Sequence, residues 1–271
     1  MRPRLTPLIR TALLAGLTAL PAFAAEENPL TPSESWDLIR EDVIGEVTPS
    51  DGATLFTLDA PYRANDAATV PLHIVQTDTA PVIDTAIVVI DENPAPVAGT
   101  FTFGAAMHPL DLELRVRVNM YSNVRVIAHT PEGLAMTGRF VKASGGCSAP
   151  ATSDPEAALA SMGQMRLRSF GPAPQMSTPR REAQIMIRHP NYSGLQRDQI
   201  TQLFVPAHFI DTLEVRQGDD LLFTMEGGIS ISENPVFRFS YSDNGAADIV
   251  VRATDTEGNV FEERLPKDEA S

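Results

Sequence analysis

The sequence predicts an all-β protein: two immunoglobulin-like β-sandwich domains preceded by a short N-terminal helix. Three observations lead there. Apolar residues recur at every second position through most of the chain, as where Leu110, Leu112, Leu114, Val116 and Val118 alternate with charged or polar neighbours, the period of a half-buried strand. Pro, Asn, Asp and Gly cluster between these runs, as turns between short strands require. The length of 271 residues suits two domains at ~100–200 residues each, and the composition changes near the middle.

The first residues have the three parts of an export signal. Arg2, Arg4 and Arg10 give a positive start, residues 11–20 (TALLAGLTAL) an apolar middle, and Ala22-Phe23-Ala24 a small-x-small cleavage site after the helix-breaking Pro21. Cleavage is expected after Ala24, by the general export route, since no adjacent Arg pair precedes the apolar stretch. The expected location is periplasmic. A helix should follow, with Thr31 as N-cap, Pro32 at its first position and Glu34 completing a capping box. Trp36, Ile39 and Val43 recur at helical spacing until Gly45.

Strand periodicity then takes over at Leu55-Phe56, Val70 to Ile74, residues 83–90, Leu110 to Val118, Val124-Val126 and residues 134–141. Residues 143–153 (ASGGCSAPATS) carry no charge and only small or turn-prone side chains. A short helix is expected from Asp154-Pro155 to Gly163, then a Pro-rich stretch over 171–181. Alternation resumes at Ala183 and continues through 203–205, 213–215, 221–223, 237–241, 249–251 and 260–265. Asp243-Asn244-Gly245 and Glu257-Gly258-Asn259 read as hairpin turns. The expected organisation is a leader at 1–24, a first sandwich at 25–147, a linker with a short helix at 148–181, and a second sandwich at 182–271.

Composition narrows the function. With 35 acidic against 21 basic residues, a net charge of −14 argues against nucleic-acid binding. Beyond the leader no stretch is long and apolar enough to span a membrane as a helix. Phosphate loops, nucleophile elbows and dinucleotide fingerprints are missing, and no cofactor is implied. The five histidines are too dispersed for a zinc signature. His189, before Pro190, and His208, in Pro206-Ala207-His208-Phe209-Ile210, read singly as structural histidines. No metal site is expected.

Cys147, the single cysteine, excludes an intrachain disulfide. It sits in Ser144-Gly145-Gly146-Cys147-Ser148-Ala149-Pro150, where no side chain larger than Ala on residues 143–149 anchors it. An exposed, functional thiol on a supple arm hinged at Gly145 and Gly146 is expected, rather than a buried inert one. No histidine lies near it in sequence to act as its base. Type-1 copper would want His and Met shortly after the cysteine, and Ser-Ala-Pro-Ala-Thr follows instead. A tethered thiol suits covalent carriage better than catalysis, so the chain is not expected to be an enzyme. An exposed thiol also allows a disulfide-linked dimer through Cys147.

The segment from Ala183 to Leu265 resembles the SoxZ subunit of the SoxYZ sulfur carrier. The likeness rests on Ile187-Arg188-His189-Pro190 with Ser193-Gly194, then Pro206-Ala207-His208-Phe209-Ile210, then Ser232-Glu233-Asn234-Pro235 before Phe237 and Phe239. The first half, roughly 34–147, is similar to SoxY and ends in Gly145-Gly146-Cys147. This resemblance implies two β-sandwiches and a carrier whose Cys147 takes sulfur intermediates from one periplasmic enzyme to the next. It also implies that the SoxZ-like half, with His189, Pro190 and His208, serves as scaffold. Here the two are fused: Ser148-Ala149-Pro150 leads onward, and Asn191-Tyr192 stand where the pattern usually has Met-Glu. Six residues beyond Val141 extend ~20 Å at most, and a loop that must return reaches less far. The fusion is similar to SoxYZ-like carriers associated with quinoprotein dehydrogenases. That implies a second reading, a binding or assembly module for such an alcohol dehydrogenase without thiol chemistry.

Overall fold

The computed structural model describes residues 28–77, 80–150, 155–170, 180–198 and 201–267. The export signal lies outside them. Among these residues the chain is all-β apart from two short α-helices and two single 3₁₀ turns, as its periodicity predicts.

Helix α1 (Glu34–Ile44) begins two residues later than expected. Ser33, not Thr31, is the N-cap: its side chain accepts the Trp36 N–H, while Thr31 is drawn into hydrogen bonds with Asn123. The helix ends at Gly45, whose φ of 67° suits glycine. Its buried Trp36 lies over Arg125, with the guanidinium carbon 4.6 Å from the ring centroid.

The first half then forms β1 (Ser50–Asp51), β2 (Phe56–Asp59), β3 (Val70–Gln76), β4 (Thr85–Ile90), β5 (Val97–Phe103), β6 (Asp111–Val116), β7 (Ser122–Thr130) and β8 (Gly133–Val141). Helix α2 (Pro155–Ala160) follows, then β9 (Met165–Phe170), β10 (Arg180–Ile187), β11 (Ile210–Gln217), β12 (Asp220–Gly227), β13 (Val236–Ser242), β14 (Asp248–Asp255) and β15 (Val260–Pro266).

These strands make two sheets, and both run through the two halves. One has nine strands in the order β1-β8-β7-β4-β5-β12-β11-β14-β15; the other has six, β2-β3-β6-β13-β10-β9. The seams are antiparallel pairs: β5 with β12, Phe103 opposite Phe223, and β6 with β13, Leu114 opposite Phe237. The sheets pack face to face over one apolar core that includes Val88, Phe101 and Leu112 from the first half and Phe223, Phe237 and Phe239 from the second. Phe101 lies 6.5 Å from Phe223 and 6.2 Å from Phe237, ring centre to ring centre, so the seam is itself core.

Four local expectations are corrected. Strand β5 lies where no strand was expected, because its Val-Ala-Gly-Thr-Phe-Thr-Phe run hides its alternation behind small residues. Strand β9 falls within the expected linker and pairs with β10 at the sheet edge. Residues 203–205 form no strand: Phe204 makes only an isolated bridge with Arg197, and Leu203 and Phe204 are exposed. Asp243-Asn244-Gly245 is not a hairpin, since β13 and β14 belong to different sheets. Asn244 anchors that crossing through the Gln217 backbone oxygen. The Glu257-Gly258-Asn259 turn does join paired strands, β14 and β15.

Candidate functional site

The segment after β8 turns onto the rim between the halves. The Gly145 N–H donates to the Asn119 carbonyl at 2.8 Å, and the Gly146 N–H to the Val118 carbonyl at 3.0 Å. From the second half, the Ser193 hydroxyl donates to the Cys147 carbonyl and the Gln196 amide to the Ala149 carbonyl at 3.1 Å. Asn93, itself buried, braces the receiving edge by donating to the Arg117 carbonyl and accepting from the Asn119 N–H.

Cys147 is therefore not exposed. Its accessibility is 0%, which overturns the expectation of a solvent-facing thiol. The arm does lack bulky side chains of its own; the walls of its seat come from residues distant in sequence. The two glycines also differ. Gly145 has a φ of 79° and room for a Cβ, which would meet only the Ser148 Oγ at 3.9 Å, whereas a Cβ on Gly146 would fall 2.1 Å from the Ala67 carbonyl oxygen. Gly146 is a close-approach residue in this seat.

Burial raises the Cys147 pKa above its ordinary range, and the positive charge of Arg117 opposes that rise. Arg117 was hidden in the sequence as one polar member of an alternating run. Val116 and Val118 point into the core, and alternation alone would put Arg117 in water. Instead the second half closes over it, leaving it 1% exposed. Its backbone N–H donates to the Ser230 carbonyl at 2.7 Å, and its Nη1 to the carbonyls of Ile229 and Ile231. Glu233 is nearby, and burial lifts its carboxyl above the usual range while Arg117 opposes the lift.

The histidines that read separately in sequence meet in space. His189 and His208 lie edge to face, ring centroids 4.9 Å apart, and both aim Nε2 at Asp255 Oδ2, at 3.4 and 2.7 Å. The Asn191 N–H donates to His189 Nδ1, which places the His189 proton on Nε2. Asp255 also accepts from the Glu257 N–H and from the backbone and side chain of Asn259. Burial works to raise the Asp255 pKa, but the hydrogen bonds from Asn259, His208 and His189 outweigh it and bring it to about 2. Burial lowers His189 despite its bond to Asp255. His189, His208 and Asp255 are the one group among the described residues with donor atoms close enough for a metal ion. Those donor atoms are already engaged in closing the hydrogen-bond network, which ties the β14–β15 turn to the loop after β10. Buried Pro190 starts that loop, and Ser193 in it reaches the arm.

Neither His189 nor His208 hydrogen-bonds Cys147 among the described residues. Fold and site together describe an all-β protein with a single guarded thiol at the seam of two halves. Residues 40–147 match the family model of the sulfur oxidation protein SoxY, ending on the cysteine, and residues 173–266 match that of the sulphur oxidation protein SoxZ. The chain belongs to the SoxYZ sulfur-carrier family, with both parts fused into one polypeptide. No curated protein matches it. Its general role is that of a carrier in sulfur oxidation, and SoxYZ proteins are carriers rather than catalysts. Sox proteins are typically periplasmic, and no helix among the described residues is long and apolar enough to cross a membrane.

Proposed function

We propose that this protein carries sulfur intermediates covalently on Cys147 in the periplasm and presents them to partner enzymes of sulfur oxidation. The observation that carries this reading is the seat of the arm. The SoxY match ends on Cys147, and four hydrogen bonds to carbonyl oxygens, with no large apolar anchor, hold residues 145–149 in place. At about 0.5–1.5 kcal/mol each, such bonds hold a segment without locking it. The docked state guards the thiol, and release presents it. Exposed Met120 and Tyr121 follow directly on the edge that receives the arm, and suit transient contact with a partner.

In this reading the leader at 1–24 exports the chain, 25–147 is the SoxY-like unit, 148–181 connects, and 182–271 is the SoxZ-like scaffold. Gly145 supplies the turn about which the arm swings. Loading is thiolate attack on a sulfur–sulfur bond, which leaves the cargo on Cys147 and releases the other sulfur fragment. A disulfide-linked dimer through Cys147 forms only from the released arm.

The test is the intact mass of protein isolated from its native compartment, before and after mild reduction, with peptide mapping of Cys147. Added sulfur atoms or a thiosulfonate, lost on reduction, are expected. A bare thiol under every growth condition, in a strain that tolerates Cys147→Ser, would leave instead a binding module for a quinoprotein dehydrogenase.

A further inference from the structure

We infer that Arg117 fits the Cys147 site to anionic sulfur: its buried guanidinium is the counter-charge for the thiolate when it forms and for the negatively charged sulfur group that Cys147 then carries. This assignment rests on the carrier reading and adds to it a residue that selects the cargo by charge.

Arg117 is a buried cation with incomplete compensation. A guanidinium does not give up its proton in proteins, so burial leaves its charge in place. Its Nη1 bonds are to neutral carbonyls, its Nε is buried without any hydrogen-bond partner, and no carboxylate forms an ion pair with it among the described residues. The acidic groups that act on it electrostatically are Cys147 and Glu233, and burial disfavours the charged form of Glu233. The thiolate is then a natural counter-charge. The arm is also seated on the carbonyls of Val118 and Asn119, the two residues after Arg117. Docking of the arm and placement of the guanidinium are thus fixed by one strand end. A planar guanidinium matches the oxygens of a sulfonate as it does those of carboxylate or phosphate.

Tetrathionate, a dianion, is a suitable probe. Cys147 gives its proton to solvent and the thiolate attacks an inner sulfur. A bond forms from Cys147 to that sulfur, the central S–S bond breaks, and thiosulfate leaves with the electron pair. The thiol is oxidised and tetrathionate reduced, leaving Cys–S–S–SO₃⁻.

The experiment compares the full-length wild type with R117K and R117Q, measuring rates with tetrathionate and with neutral methyl methanethiosulfonate across pH. Both reagents need the same opening of the arm, so their rate ratio isolates charge recognition. In R117Q the ratio is expected to fall about tenfold and the titration midpoint of the thiol to rise by about one unit, with R117K keeping most of both. An unchanged ratio and midpoint in folded R117Q would overturn the assignment. Should R117Q not fold, the same ratio for the wild type is set against that of a Gly-Gly-Cys-Ser peptide. A protein of net charge −14 repels a dianion, so a ratio above that of the peptide reports a local cation, and a ratio at or below it refutes one. If neither reagent leaves an adduct on Cys147 of the folded protein, the carrier reading fails and this assignment with it. Adducts that form with equal ratios in wild type and R117Q remove only the role of Arg117.

Discussion

Cys147 and Asp255 are buried ionisable groups whose pKa values move in opposite directions, Cys147 upward by burial and Asp255 downward by hydrogen bonds that outweigh its burial. Burial favours the neutral thiol of Cys147, so its pKa is raised in the fold although Arg117 resists the rise. Unfolded chains then lose this proton first. Stability contributed by the docked thiol is present below about pH 8.5 and declines as pH rises through the folded-state value. Iodoacetamide should accordingly alkylate Cys147 more slowly in buffer at pH 7 than in urea, and the melting temperature should fall above about pH 8.5. A C147A variant that melts with the same alkaline slope would assign that slope to another group. Asp255 behaves conversely. Its pKa of about 2 gives stability that is present above about 3.9 and fades as pH falls toward 2. His189, lowered in the fold, adds a loss that begins as pH drops below about 6.5, where the unfolded chain takes up a proton first. D255A, which strips the acceptor from two histidines and Asn259, is expected to cost about 2–4 kcal/mol in urea unfolding.

The arm joins residue chemistry to motion. Gly146 lies against the Ala67 carbonyl, and an added methyl cannot enter that gap. G146A should therefore unseat the arm without disturbing the core. Its expected signature is alkylation of Cys147 at least about tenfold faster at unchanged far-UV circular dichroism. Gly145 has room for a methyl but a φ of 79°, so G145A should strain the turn by about 1 kcal/mol and raise reactivity less. Equal rates in both variants and the wild type would mean that seating of the arm does not control access to the thiol. Other elements show what local sequence reveals. Strands β3, β6 and β13 were legible because each alternates large apolar with polar residues. Strands β5 and β9 were not: the first is diluted by Ala, Gly and Thr, and the second is a short, half-exposed edge strand in which Met165 and Leu167 alternate with Arg166 and Arg168 for only four residues.

Across the whole molecule, the two halves share both sheets and one core, so their association does not depend on the covalent link alone. Phe101, fully buried among Phe223 and Phe237, is the test residue. Expressed as separate chains, 25–150 and 155–271, the halves should co-purify one to one. F101A should weaken that complex by about 3–5 kcal/mol, read by isothermal calorimetry. Failure of the two chains to associate would place the stability of the seam in the linker rather than in the core.

The sequence by itself determined the all-β class, the place of most strands, the short first helix and the unusual setting of the only cysteine. Each of these is written in neighbouring residues, in alternation, capping and the absence of bulky side chains. Only the tertiary structure decided that Cys147 is covered, that Arg117 lies buried near it, and that His189 and His208 converge on Asp255 from 66 and 47 residues away. Burial and pairing of that kind are properties of segments brought together by the seam of two sheets. A run that alternates along one strand does not reveal which loop of the other half will close over it.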